Sequence, residues 1–239
     1  MNNKYNFDCA VLVYNIGDMQ RNIMSDDNGY SKPYAEYKNN QLLIRNIPVK
    51  EKTSVQSGLK SRLYLWRLVS LTKNRFMGKT INVKNINYTT FNFGIPAGDI
   101  PFHMINDGRN DYGYEVTKAI LNSMKEYCEK HKIKFIVMIN TGAWQFNEEY
   151  KKRAMEDYKG DHNLVDWELP QKKMTSILSE LGIPHLTLLP VLQKGHTSTG
   201  KYPHFRIDGH FSPDGHKMIA NALASYLLKN NLADKSHFK

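Results

Sequence analysis

Three short apolar runs are the clearest feature of the hydrophobic pattern along this chain. Residues 7–14 read FDCAVLVY, residues 134–140 read KFIVMIN and residues 185–191 read HLTLLPV. Each run is nearly continuous and does not alternate with polar residues, which is typical of strands buried on both faces in a parallel sheet. We therefore expect three buried, parallel strands that are neighbours in one sheet.

Other segments show the helical spacing of apolar residues. The predicted helices cover residues 57–72, 114–131, 148–158, 170–181 and a final segment that starts at Ser212. Tyr127 and Cys128 fall on the apolar face of the second of these helices. Gly182 is expected to end the fourth helix, and Ser212 is expected to cap the last one, with Pro213 in its first turn.

Strands that alternate with helices indicate an α/β fold with helices on both faces of a mainly parallel sheet. A hairpin that turns at Asn39–Asn40 is expected within residues 34–49, and residues 73–110 read as long loops with short strands. We expect a single domain over residues 1–239, with a lid-like insertion at roughly 20–110.

Composition narrows the class of protein without identifying a partner. The 239 residues are 41% hydrophobic and carry a net charge of +10, but the lysines are scattered and no nucleic-acid-binding motif is present. No apolar run is long enough to span a membrane, and the two cysteines, Cys9 and Cys128, are expected to be buried. The start lacks a signal peptide, which indicates a cytoplasmic protein if Met1 is the true start, and leaves the cell envelope open if an upstream signal or anchor is missing.

The densest cluster of polar residues that could do chemistry is IDGHFSPDGH, residues 207–216. Asp208 and His210 lie in a loop before the last helix. Acyl transfer to a hydroxyl nucleophile needs a base with a near-neutral pKa, held in one tautomer by a carboxylate, and an Asp–x–His turn can present both groups. A metal site that adds Asp214 and His216 to Asp208 and His210 is an alternative, but Asp214 and His216 need not face His210. We expect neither a metal nor a cofactor.

This block, followed by an apolar helix, resembles the C-terminal block of the SGNH (GDSL-type) hydrolases, commonly D-x-H-[FW]-[NST]-x-x-G-H. In the same order, VLVYNIGDMQRN is similar to the family strand that ends in a G-N-D-type motif, and KFIVMINTGAWQFN is similar to a strand that ends near I-P-x-x-x-Q. SKPYAEYKNNQLLIRNIPV resembles an insertion found in one bacterial branch of the family. The resemblance implies a three-layer α/β/α sandwich (SGNH/flavodoxin-like) and a Ser-His-Asp mechanism on an ester, with Asp208 and His210 as the catalytic pair.

Two departures from the family pattern bear on activity. No G-D-S nucleophile motif occurs in the 239 residues, so the resemblance implies an N-terminally incomplete domain. The asparagine of the family's oxyanion hole aligns with Gly17, and Asn15 lies two positions away. Ser198, expected in a flexible loop, and Ser212, expected as a helix cap, are poor substitutes for the nucleophile.

Three functions follow from these observations. The first is an ester hydrolase or O-acyltransferase domain that acts on a small-molecule or carbohydrate ester, with its serine missing from this chain, so that the isolated chain is inactive. The second is a non-catalytic SGNH-like domain that binds a carbohydrate or a protein. The third, a nucleic-acid-binding module, has only the net charge in its favour.

Overall fold

The computed structural model describes residues 7–27, 30–49, 79–83, 86–90, 100–146, 148–205 and 209–232. The chain divides into two compact units. The first comprises Met1–Asp18, Thr117–Glu148 and Trp167–Lys239, and the second comprises Met19–Val116 and Glu149–Asp166. The helix predicted over residues 57–72 lies outside the described residues.

Both units contain strands and helices, and these alternate in the first unit, as expected for an α/β fold. The strands are β1 (Cys9–Tyr14), β2 (Asp26–Asp27), β3 (Tyr30–Ser31), β4 (Tyr34–Lys38), β5 (Gln41–Arg45), β6 (Lys79–Val83), β7 (Ile86–Thr90), β8 (Lys134–Ile139) and β9 (His185–Thr187). The α-helices are α1 (Asp18–Ile23), α2 (Asp111–Lys130), α3 (Glu148–Asp157), α4 (Leu169–Glu180), α5 (Leu188–Thr199) and α6 (Pro213–Lys229). Short 3-10 helices cover Phe102–Met104, Ala143–Gln145 and His162–Leu164.

The central sheet is parallel and has the strand order β1-β8-β9. The register runs from Cys9 opposite Lys134 to Tyr14 opposite Ile139. Its middle strand is apolar and buried from Phe135 through Ile139, as a strand covered on both faces must be. The prediction that the three apolar runs are parallel neighbours is confirmed.

The prediction that β1 is buried on both faces is wrong. Val11 is 37% exposed and Val13 is 45% exposed, although Tyr14 at the end of the strand is 3% exposed. Within the described residues β1 pairs only with β8, so it is an edge strand. Successive side chains of a strand point to opposite faces, and the face that carries both valines is open.

The third apolar run is only partly a strand, which corrects the prediction over residues 185–191. Strand β9 ends at Thr187, and Leu188 begins α5 at once. Leu188, Leu189 and Leu192 are buried at helical spacing, and Pro190 lies in the first helical turn, where its missing N–H is not needed. Helix α5 also includes Ser198, so the prediction of a flexible loop there is wrong.

The predicted hairpin is present in the second unit. Strands β4 and β5 pair antiparallel from Tyr34 opposite Arg45 to Lys38 opposite Gln41. Asn39 has φ 53° and Asn40 has φ 58°. Two positive φ angles are the requirement of a two-residue type I′ turn, and asparagine tolerates them better than most residues. Strands β6 and β7 also pair antiparallel.

Helices α2 and α4 follow the apolar spacing, with one exception. Gly182, at φ 64°, follows the end of α4 as expected for a left-handed C-terminal residue. Cys128 is buried on α2, but Tyr127 is 57% exposed, so its predicted place on the buried face is wrong. The Tyr127 ring instead stacks on His131, with ring centroids 4.1 Å apart.

Both cysteines are free thiols. Cys9 is half-buried and Cys128 is buried, and burial raises the pKa of each thiol. Among the described helices, none is both long and apolar enough to cross a membrane.

Candidate functional site

The candidate site lies at the carboxyl ends of β1 and β8. Open α/β sheets bind their ligands at this edge, where parallel strands end side by side. The two strands end in register, and the Asn140 backbone N–H donates to the Tyr14 carbonyl at 2.8 Å. The side chains of Asn15 and Asn140 meet just beyond this point, where Asn140 Nδ2 donates to Asn15 Oδ1 at 2.7 Å.

Asn15 is further held by a tight turn with Asp18. Its backbone N–H donates to Asp18 Oδ2 at 2.9 Å, and its carbonyl accepts from the Asp18 N–H at 2.8 Å. A side chain added at Gly17 would meet no atom within 4 Å in the described structure. Packing among the described residues therefore does not require glycine at position 17, and Asn15 is the amide side chain held at this strand end.

A buried network of amide groups anchors the segment that follows β8, a feature that the sequence did not reveal. Thr141 Oγ1 donates to Gln145 Oε1 at 2.6 Å. Gln145 Nε2 donates to the Trp167 carbonyl at 2.6 Å and to Gln171 Oε1 at 2.9 Å, and Gln171 Nε2 donates to the Asn140 carbonyl at 3.3 Å. Gln145 is 2% exposed and Gln171 is 4% exposed, so these paired amides avoid the cost of burying an unsatisfied polar group.

His210 lies in a short loop before α6, as predicted, and its side chain is exposed. Asp208 lies outside the described residues, so its pairing with His210 stays a prediction. Gly209 has φ 72°, and a Cβ built on it would lie 3.9 Å from the Ala143 Cβ. The loop that carries His210 and whose two arms are 203–205 and 210–212, called the His210 loop below, is therefore next to the segment that leaves the central strand β8.

The two arms of this loop are joined by backbone hydrogen bonds. The Phe205 N–H donates to the His210 carbonyl at 2.7 Å, and the Ser212 N–H donates to the Pro203 carbonyl at 2.9 Å. His204 and Phe211 form an isolated antiparallel bridge between them. The loop is thus closed at its base by a short ladder.

Ser212 caps α6 as predicted. Its Oγ accepts from the Gly215 N–H at 3.1 Å and donates to the Tyr202 carbonyl at 2.8 Å. A hydroxyl that is committed in this way is not an available nucleophile. Ser198 Oγ donates to the Gly195 carbonyl at 3.2 Å within α5, which is the ordinary pairing of a serine in a helix.

We expect Ser212→Ala to lower the free energy of unfolding by about 1 kcal/mol, since it removes an N-cap that satisfies a helix-terminal N–H. Urea denaturation of the wild type and the variant measures this change. Ser198→Ala is the matched control, because Ser198 is exposed and bonds only within its own helix. Equal stability of both variants would contradict the capping role.

His204 is buried between two phenylalanine rings. The residue is 3% exposed, and its ring centroid lies 4.5 Å from that of Phe211 and 5.4 Å from that of Phe146. Among the described residues neither ring nitrogen makes a hydrogen bond of good geometry, and the Thr141 backbone acts on the ring as a weak partner. Burial lowers the pKa of His204 to about 4, and the Thr141 backbone opposes this shift only in part. The imidazole is therefore neutral at pH 7.

We expect acid to destabilise the protein through His204. Its folded-state pKa is lowered to about 4, while the ordinary value of 6.5 returns on unfolding. The unfolded chain then binds more protons, so the stabilisation present above pH 6.5 is lost as the pH falls towards 4. Linkage gives a loss of about 2 kcal/mol in the free energy of unfolding between pH 7 and pH 5.

Urea denaturation of the wild type and of His204→Phe at pH 7 and pH 5 tests this expected loss of stability. The variant keeps an aromatic ring at position 204 but removes the titrating group. The loss of stability between pH 7 and pH 5 should be about 2 kcal/mol smaller in the variant. The buried His103 also has a pKa lowered to about 4 by burial. Its contribution to the pH dependence is the same in the wild type and in His204→Phe, so it cancels from the difference between them. The same pH dependence in both proteins would disprove the contribution of His204.

Other ionisable residues take local structural roles. His162 Nε2 contacts the Tyr158 carbonyl at 3.0 Å, and His185 Nδ1 contacts the Ile183 carbonyl at 2.9 Å. Asp214 forms an ion pair with Lys201, with 2.7 Å between Oδ1 and Nζ. Over the described ranges, no group of three or more histidine, cysteine, aspartate or glutamate residues could hold a metal ion.

An open groove of about 580 Å³ lies between α4 and α5 at the carboxyl end of β9. Its lining includes Gln171 of the amide network, the hydroxyl side chains of Thr175 and Thr187, and the apolar residues Leu189 and Pro190. Charged groups, Glu168 and Lys172, also line this open groove.

Known proteins offer little similarity to this chain. No protein-family model matches the sequence, and no curated protein matches it either. A solved crystal structure aligns with the chain at a TM-score of 0.34 and 13% sequence identity. The alignment covers 57% of this chain and 59% of that one, so the chain spans less than two thirds of the structure that it matches. These values carry no assignment of fold family or function.

Proposed function

We propose that this chain provides the acid–base half of an SGNH-type ester hydrolase or O-acyltransferase domain, with Asp208 and His210 as its catalytic pair. The observation that carries the proposal is the position of the His210 loop. It precedes a capped helix, and its Gly209 is next to Ala143 at the carboxyl end of the central strand β8. An exposed imidazole at this edge of a parallel sheet can reach a substrate bound outside the strand ends.

The strand order supports the same proposal. In a flavodoxin-like sheet of order 2-1-3-4-5 the last three strands are consecutive neighbours, as β1, β8 and β9 are here. In a three-layer sandwich of this kind a further strand would pair with the open edge of β1, and a helix on the open face would cover Val11 and Val13. The serine nucleophile would come from such a segment, since the 239 residues contain no G-D-S motif.

The proposed reaction is acyl transfer through a covalent serine ester. His210 takes the proton of the serine hydroxyl as its oxygen attacks the ester carbonyl, and then gives that proton to the leaving alcohol as the ester C–O bond breaks. Water, or a second hydroxyl in a transferase, is next deprotonated by His210 as it attacks the acyl group, and His210 returns this proton to the serine oxygen as the bond between the acyl carbon and that oxygen breaks. Asp208 would hold His210 in the tautomer that accepts the proton. The Asn15 amide, fixed by Asn140 and Asp18 at the end of β1, would donate to the oxyanion.

The second candidate is a non-catalytic SGNH-like domain that binds a carbohydrate or a protein. The missing G-D-S motif and the glycine at position 17 favour it, since both remove groups that the family chemistry needs.

Hydrolysis of p-nitrophenyl acetate tests the proposal in two proteins: the 239-residue chain, and the same chain extended in frame by the preceding coding sequence where that encodes G-D-S. We expect little or no turnover from the 239-residue chain and turnover from the extended form. Turnover by the 239-residue chain that His210→Ala abolishes would identify a serine within this chain as the nucleophile. An inactive extended form that carries G-D-S would favour the binding domain.

A further inference from the structure

His204 occupies the base of the His210 loop. The residues on either side of it belong to one arm of the loop, whose Pro203 and Phe205 make the backbone hydrogen bonds to Ser212 and His210. His204 itself faces Phe211 across this short ladder, and the two rings stack with an interplanar angle of 30°. The His204 ring therefore contacts the arm that carries His210 directly.

The His204 ring also meets the protein core. Phe146 follows the segment after β8, and its ring is tilted 45° to that of His204. Phe146 belongs to an apolar core cluster of this unit, which also contains Met138, Leu188, Leu189, Leu192 and Ile219. Phe211 packs against the same cluster. The His204 ring thus contacts both the core, through Phe146, and the loop, through Phe211.

We propose that His204 is a positioning residue for His210. The His204 ring packs between Phe146 and Phe211. It holds the base of the loop against the core and thereby fixes the position of His210 at the sheet edge. The contacts with Phe146 and Phe211 are made by the faces and edges of the ring itself. His204 is too enclosed to touch a substrate. The functional meaning of this role rests on the function proposed for His210.

Amide hydrogen exchange in the 239-residue protein tests the proposal without any need for activity. The Phe205 amide, bonded to the His210 carbonyl, reports the closed base of the loop, and the Ile136 amide in the buried centre of β8 reports global opening. In His204→Ala the exchange of Phe205 should accelerate about tenfold more than that of Ile136, because the base of the loop loses the ring contacts that hold it closed and opens locally more often. The His210 ring signal in a ¹H–¹³C spectrum, assigned by its loss in His210→Gln, should move towards that of an unstructured histidine.

Two variants separate positioning from general stability. His204→Phe keeps both ring contacts and should retain the wild-type Phe205 protection and the His210 signal. Leu192→Ala opens a cavity in the same apolar cluster but leaves the His204 ring in place, so Ile136 should accelerate at least as much as Phe205. The proposal is overturned if His204→Ala leaves Phe205 and His210 unchanged, if Leu192→Ala loosens Phe205 selectively, or if phenylalanine fails to restore the loop. An inactive extended enzyme with an intact loop would count against the proposed function alone.

Discussion

In the extended form that carries G-D-S, His210→Ala should lower kcat for an aryl ester by on the order of 10⁴-fold or more, with a smaller change in KM. Without the imidazole nothing near neutral pH can take the serine proton, and the leaving alcohol loses its acid. Asp208→Asn should cost on the order of 10⁴-fold as well, because a carboxamide favours the wrong histidine tautomer. The initial rate of p-nitrophenol release from each variant measures these effects.

His216→Ala is the matched control for this experiment. His216 is an exposed histidine of the same motif, but it lies on α6 beyond the cap, where its backbone N–H donates to the Ser212 carbonyl at 2.9 Å. Its removal should leave kcat within about twofold, because a surface side chain away from the reacting atoms contributes little to the barrier. An enzyme that keeps its rate after His210→Ala, or loses it equally after His216→Ala, would contradict the role of His210.

Gly215→Ala should lower the free energy of unfolding by about 3 kcal/mol or more, because overpacking against fixed atoms cannot be relieved. A Cβ at position 215 would lie 1.9 Å from the Pro203 carbonyl oxygen and 2.8 Å from the carbonyl carbon. This oxygen also accepts the Ser212 N–H. A shift of the backbone would therefore break the ladder at the base of the His210 loop.

Gly195→Ala in α5 is the control for Gly215→Ala. Its Cβ would meet the Met218 side chain, with the sulfur at 2.6 Å, and a flexible thioether can move aside. Alanine is also the better helix former by about 1 kcal/mol, which offsets part of the clash. Urea denaturation compares the two variants. If Gly215→Ala lowers the free energy of unfolding by less than about 1 kcal/mol, the start of α6 can adjust, and the close approach to Pro203 does not require glycine at position 215.

Several elements could be predicted because their signals are local. The uninterrupted apolar residues of β8 indicate a strand covered on both faces, and β8 is buried in this way from Phe135 through Ile139. Asn39–Asn40 between two short extended segments is a turn signal, since both residues must adopt positive φ. Ser212 and Pro213 mark a helix start through a side-chain hydrogen bond that involves only the next few residues.

The failed predictions concern properties that a local pattern cannot contain. The valines of β1 look like those of a central strand, but exposure depends on whether another strand or helix lies beside them. The leucines after Thr187 fit either a strand or the first turns of a buried helix, because a short apolar run does not distinguish the two. Tyr127 fits the apolar stripe of α2 and yet remains exposed.

The same division applies to the candidate site. The sequence by itself determined the parallel α/β character of the first unit, the capped final helix and the place of His210 in the loop before it, because these follow from periodicity and from contacts between near neighbours in the chain. Only the tertiary structure decided that Asn15 meets Asn140, that Gln145 meets Gln171, and that His204 is enclosed between two phenylalanine rings. Such contacts join segments far apart in the chain, and their geometry depends on how helices and strands pack together.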